Sequence, residues 1–366
     1  MAQVQRAVRP IQLHGRLHLA AWELGADDGT LLIRGDEAVP AASTIKVAIL
    51  AAALKEVGAG RLQMEVPIPI PARRAGGSGV LQAMTGLGAL TLADLLTLMV
   101  IVSDNAATNM VIEMTGMGRV NAFCHELGLQ GTVLRRRMMD AEAAGLGLEN
   151  TTTALDQARL LDALAEGALL AEPLQTFAIR TLAGQQFNDA LPSLLPENAH
   201  VFHKTGELPG VRHYVGIITA ASGRRAVVSV LVTGLDGALA TACAGDVSAL
   251  VSPQSMRANA GAAIAAVGHA AWQALGGGGP ALAGGVDEQR TQRGHHPVVT
   301  GRSQMRVGRG EELGQRPRAH LSDGGNGGEV PDEPGQGQGA RSRSARDAAT
   351  AGHPAAPRQR WRKRRG

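Results

Sequence analysis

Tyr214-Val215-Gly216-Ile217-Ile218-Thr219-Ala220, followed shortly by Ala226-Val227-Val228-Ser229-Val230-Leu231-Val232-Thr233, decides the fold. Both runs are dense in β-branched residues, as strands near the centre of a sheet are. Val201–Lys204 precedes them as a third strand. Far upstream, His18–Trp22 and Thr30–Arg34 are two more apolar runs, separated by Gly25-Ala26-Asp27-Asp28-Gly29, and they read as a hairpin with a longer turn. Between these ends, about 43–195, the sequence is largely helical. Lys46–Val57 is a run of good helix formers stopped by Gly58, and Thr91–Val102 opens on a Thr cap with Asp94 three residues on. Asn105–Met114, Arg119–Leu127 and Thr153–Glu166 follow, then Ala238–Val251 and Ser255–Leu275 beyond the strands. The expectation is an α+β fold: an antiparallel sheet built from both ends of the domain and flanked by helices, with an all-helical lobe. A site would lie at the seam between sheet and lobe.

Composition sets the outer limits. The chain has 366 residues, 44% of them apolar but only 2% aromatic, so its core is built from Ala, Val, Leu, Ile and Met. From Gly276 onward the sequence turns rich in Gly, Arg, Pro and Gln, with sixteen Lys and Arg against nine Asp and Glu. That surplus of +7, set against a whole-chain charge of +4, leaves the body at −3. The basic pI therefore belongs to the tail, and the body calls for no nucleic-acid partner. Three parts are expected: an N-terminal extension over 1–15, a catalytic domain over 16–275, and a disordered tail over 276–366 that cannot bury enough apolar surface to offset its ordering entropy. No apolar run is long enough to span a membrane. Residues 1–15 carry Arg6, Arg9, Pro10 and His14 and do not read as a secretory signal. As written the chain predicts a cytoplasmic protein; a misplaced start site would instead make it exported. Cys124 and Cys243 fit neither a metal site nor a disulfide framework.

Three short motifs carry the chemistry. Ser43-Thr44-Ile45-Lys46 opens a helix, where free backbone N–H groups and the helix dipole favour negative charge. Lys46 returns to the face of Ser43 one turn on, close enough to accept its proton. Alone this pattern is weak. Ser103-Asp104-Asn105 sits at a break between two apolar helices, and Lys204-Thr205-Gly206 falls in a strand-forming region where Gly206 allows a ligand to approach the backbone.

In that order, the three motifs resemble those of the class A β-lactamase and penicillin-binding-protein superfamily. Gly77-Ser78-Gly79-Val80-Leu81-Gln82 resembles the family's segment across the face of the sheet, and Asn150-Thr151-Thr152-Thr153 resembles the close of its omega loop. The resemblance covers roughly residues 16–275. It implies a monomeric enzyme without metal or cofactor, acting on a small β-lactam or peptide-like substrate. It implies Ser43 as nucleophile, Lys46 as proton acceptor or orienting group, and Ser103 as proton relay to the leaving nitrogen. Asn105 would contact the substrate amide, Lys204 and Thr205 the substrate carboxylate, and the backbone N–H groups of Ser43 and Glu207 would form the oxyanion hole beside Gly206.

One part of the pattern is missing. The family releases its acyl group with a loop glutamate in an E-x-x-L-N context, and 135–150 lacks that context. The usual position falls near Met138–Asp140, leaving Asp140 and Glu142 as stand-ins. Glu207 also places an extra carboxylate at the pocket rim, near Arg212 and His213. Of these, His213 is either a general base or a structural strand residue. The leading expectation is β-lactam hydrolysis through an acyl-enzyme on Ser43. The alternatives are a related peptidase or esterase with slow deacylation, and a non-catalytic penicillin-binding module.

Overall fold

The computed structural model describes residues 1–8, 15–26, 29–235 and 253–277, all within one compact unit spanning 1–286. The expected helix over 238–251 and the tail from 278 on lie outside the described residues, as does Cys243. In chain order the helices are α1 (Ala2–Val8), α2 (Ile45–Gly58), α3 (Leu92–Ile101), α4 (Asn105–Thr115), α5 (Met117–Glu126), α6 (Ala141–Gly145), α7 (Ala154–Ala165), α8 (Leu174–Ala183) and α9 (Pro253–Ala274). The strands are β1 (Arg16–Glu23), β2 (Leu31–Ile33), β3 (Val39–Pro40), β4 (Pro67–Pro69), β5 (Ala89–Thr91), β6 (Thr151–Thr152), β7 (His200–Leu208), β8 (Val211–Thr219) and β9 (Arg225–Thr233).

The main sheet is antiparallel throughout, in the order β2-β1-β9-β8-β7, so the two ends of the chain meet where β1 pairs β9. β9 and β8 are buried on both faces. Val215, Ile217, Val227 and Leu231 face the helical block, while Tyr214, Ile218, Val228, Val230 and Val232 face α9 and α1. That period-two division is why these strands read as continuous apolar runs. On the first face the core continues from the sheet through α2, whose residues from Ile45 to Leu54 are all buried, into α3, α4 and α5.

Local chemistry sets the helix ends. Thr91 accepts a hydrogen bond from the Asp94 N–H, and Asp94 returns one from the Thr91 N–H, a complete capping box. Thr153 caps α7 through Asp156. α1 packs on α9, so part of the stretch set apart in sequence as an extension lies against the domain. The third strand is longer than the Val201–Lys204 read from sequence. β7 runs on through Leu208, because Glu207 pairs Arg212 and Leu208 pairs Val211, and the chain reverses only at Pro209-Gly210. Gly77–Gln82 also differs from expectation: it packs on the Ser103–Asn105 turn, where the Asn105 N–H donates to the Ser78 carbonyl at 3.0 Å.

Leu50, fully buried in α2, is where sheet and helical block share one core. Leu50→Ala is expected to lower unfolding free energy by about 2–5 kcal/mol, measured by urea denaturation.

Candidate active site

A cavity of about 350 Å³ opens beside the start of α2, a volume that fits a small ligand. Ser43, Asn105 and Glu207 line one part of it; Met138, Met139 and Asp140, from the 135–150 loop, line another. Lys46, Ser103 and Lys204 form a buried layer alongside.

The buried layer turns on one hydroxyl. Lys46 Nζ donates to Ser103 Oγ at 3.1 Å, to the Ser103 carbonyl at 2.7 Å and to Asn105 Oδ1 at 2.9 Å. From the other side, Lys204 Nζ donates to Ser103 Oγ at 3.0 Å and to the Thr205 carbonyl at 2.8 Å. A hydroxyl has two acceptor sites and one proton. With both acceptor sites taken by lysines, the Ser103 proton is free to be donated elsewhere. Burial lowers the pKa of Lys46 to about 7, against an opposing pull from Asp104. Burial, and then the charge of Lys46, lowers Lys204 well below the ordinary lysine range. Taking an ammonium out of water disfavours its charged form, and two of them around one oxygen disfavour each other. For Lys46 the shift brings the neutral amine within reach near pH 7.

Backbone strain collects at the same place. Ala42, Ser103 and Met139 have left-handed φ values of 47°, 55° and 60°, leaving Arg34 as the remaining non-glycine case among the described residues. Each such residue costs about 1–3 kcal/mol and persists only where its surroundings hold it. For Ser103 the holder is Asp104. One carboxylate oxygen caps α4 through the Ala107 N–H at 2.9 Å; the other accepts from the Val80 and Leu81 N–H groups, both at 2.7 Å. The loop comes so close that a Cβ at Gly79 would lie 2.4 Å from the Asp104 Cα, and Gly79 itself has φ +105°. Gly206 makes a similar approach, with a Cβ there 3.2 Å from the Thr44 N. It seats β7 against the turn that carries Ser43.

The far wall is the 135–150 loop. Asn150 closes it, accepting from the Arg135 and Arg136 N–H groups at 2.7 and 3.0 Å, while its own carbonyl accepts from the Ala41 N–H at 2.7 Å. Arg136 pairs with both oxygens of Glu149. Asn109 clasps Met138, accepting from its N–H at 2.7 Å and donating to its carbonyl at 3.0 Å. Of the expected acids, Asp140 lines the cavity but spends one oxygen capping α6, at 3.0 Å from the Ala143 N–H. Glu142 is exposed on α6 and does not line the cavity.

Sequence reasoning passed over Asp104 as a brace, Asn109 and Glu149. A signal existed for Asn109, which sits four residues after Asn105 and so on the same helix face. His213 resolves as structural. Its Nδ1 accepts from the Val232 N–H at 3.1 Å, so Nε2 carries the proton and donates to the Pro40 carbonyl at 2.9 Å. Burial lowers its pKa to about 4.

Comparison with known proteins agrees with this geometry. The model of the β-lactamase enzyme family matches residues 2–275. The β-lactamase CTX-M-97 of Escherichia coli is 31% identical over 195 residues, 52% of this chain and 67% of that protein. Toho-2 of Escherichia coli is 35% identical over 116 residues, 31% of this chain and only 39% of its own length. Among solved structures, a β-lactamase from Sphaerobacter thermophilus is 31% identical with a TM-score of 0.63, covering 75% of this chain and 97% of its own. A mutant of PBP-A, solved as an acyl-enzyme complex with penicillin G, is 26% identical with the same TM-score, covering 75% and 96%. Among the described residues no helix is long and apolar enough to cross a membrane.

Asp104→Ala is expected to remove a helix cap and leave two further N–H groups unpaired. Urea denaturation should show a loss of at least about 2 kcal/mol.

Proposed function

The chain belongs to the β-lactamase enzyme family, and from that premise we propose that it is a serine hydrolase acylated by β-lactams at Ser43 and slow to release the acyl group. The observation that carries this reading is the pair of lysines on Ser103 Oγ, beside a loop wall that presents Met138, Met139 and Asp140, the stretch where the resemblance puts the family's glutamate.

In this reading Ser43 Oγ attacks the lactam carbonyl as its proton passes to neutral Lys46. The pKa of about 7 supports that role, since a base works best with a pKa near the working pH. The carbonyl oxygen gains negative charge and is met by the backbone N–H groups of Ser43 and Glu207. As the C–N bond breaks, Ser103 gives its free proton to the leaving nitrogen and is recharged through the lysine hydrogen bonds. Asn105 orients the substrate amide, and Lys204 and Thr205 receive its carboxylate.

Release is the weaker half. Hydrolysis of the ester needs a base to activate water. Met138 has no proton acceptor suited to that task, and the Asn109 clasp aims it at the cavity. Of the loop acids at the wall, Asp140 is partly committed to its cap and Glu149 is paired with Arg136; Glu142 stands off the cavity. The acyl-enzyme of the PBP-A mutant with penicillin G is a precedent on the same fold for an ester that lasts long enough to be seen.

A chromogenic cephalosporin is expected to give a burst of one equivalent followed by a slow steady state. Met138→Glu is expected to speed the slow phase by roughly 10²-fold or more, the low end of what a positioned base supplies. An unchanged slow phase would count against the missing base as its cause.

The burst rate should also depend on pH in a set direction. Lys46 accepts a proton only when neutral, so the rate is expected to fall as pH drops below about 7 and to level off above it. Stopped-flow bursts across that range check it, and a rate that rises toward acid would contradict the role given to Lys46.

A further inference from the structure

Glu207 follows directly on Lys204-Thr205-Gly206, and its side chain lines the cavity. It meets two guanidinium groups. Arg257, on α9, pairs through Nη2 with Glu207 Oε2, and Arg212 Nε lies 3.3 Å from Glu207 Oε1.

The two arginines are not equivalent. Arg212 is buried beneath α9, where Gly261 gives it room: a Cβ there would lie 2.7 Å from Arg212 Nη1. Its Nη2 is 2.5 Å from Asp189, and its Nη1 donates to the Arg257 carbonyl at 2.8 Å. Arg212 therefore has a carboxylate of its own, one that also accepts from the Tyr214 hydroxyl. Arg257 is 43% exposed, as is Glu207, and Glu207 is the carboxylate that engages it.

A guanidinium held by a cavity-lining residue, as Arg257 is by Glu207, suits paired recognition of a carboxylate. Here that role is already filled from within the chain. An anionic ligand at this end of the cavity gains Arg257 only by displacing Glu207, and meets the charge of Glu207 as it does so. Discrimination by a charge set against one class of ligand is a common device.

We propose that Glu207 is a specificity-determining residue that latches Arg257 and disfavours ligands bearing a carboxylate at this end of the cavity. The inference rests on the reading that the cavity receives β-lactams, and its test is kept apart from the acylation chemistry. In a Ser43→Ala background no ester forms, and calorimetry reads binding alone. The ligands are benzylpenicillin and its methyl ester, which lacks the carboxylate charge. With Glu207→Ala, the free acid is expected to bind about fivefold more tightly, the upper scale of a part-exposed ion pair, while the ester stays within about twofold. Glu207→Gln, which keeps the size and removes the charge, is expected to do the same, and thermal melts confirm folding. Adding Arg257→Ala is expected to abolish the gain. Equal changes for acid and ester, no change, a gain that survives loss of Arg257, or no binding by any variant would each overturn the latch. The reading of Ser43 as nucleophile fails separately, by the lack of a covalent adduct when Ser43 is intact.

Discussion

Two lysines share the hydroxyl of Ser103, and the site is arranged to make that possible. Lys46 comes from α2, the helix packed between sheet and helical block; Lys204 comes from β7, an edge strand of the sheet. Bringing two ammonium groups out of water to one oxygen is costly, and that burial lowers the pKa of both lysines. Everything nearby serves to hold the meeting point. Asp104 spends both oxygens on backbone N–H groups and fixes the left-handed turn of Ser103. Gly206 lets β7 close on the Ser43 turn, and His213 fastens β8 to Pro40 just ahead of it.

The sheet was legible in sequence because its central strands are apolar on both faces, and Val227–Val232 admits few other readings. The helix starts were legible because Thr91 and Thr153 perform the capping their positions imply. β7 was read short because Pro209-Gly210 signals a turn without saying where pairing stops; the Glu207–Arg212 and Leu208–Val211 pairs decide that. Within the site, Lys46, Ser103, Asn105, Lys204 and Thr205 share one hydrogen-bond network, and Ser43 lines the cavity with Asn105. Arg257 was illegible, since nothing local ties it to Glu207, fifty residues earlier. The loop was hardest. Its residues follow no helical or strand period, so only the clasp of Asn109 reveals that Met138, and not Glu142, faces the cavity.

The loop wall and the lysine pair divide the chemistry. The lysines support forming an ester at Ser43. The loop wall lines the cavity with Met138, Met139, Asp140 and Glu149; Asp140 spends one oxygen on its helix cap and Glu149 is paired with Arg136, while Glu207 from β7 is held by Arg257 and Arg212. Family membership fixes the fold. The balance between acylation and release depends on these few side chains.

The most direct test is intact-mass spectrometry followed over time after one brief exposure to benzylpenicillin, with the modified residue located by peptide mapping. The account predicts one penicilloyl group per molecule, attached to Ser43 and persisting after free drug is removed. A chain that stays unmodified, an adduct on another residue, or a Ser43 adduct lost as fast as it forms would contradict it.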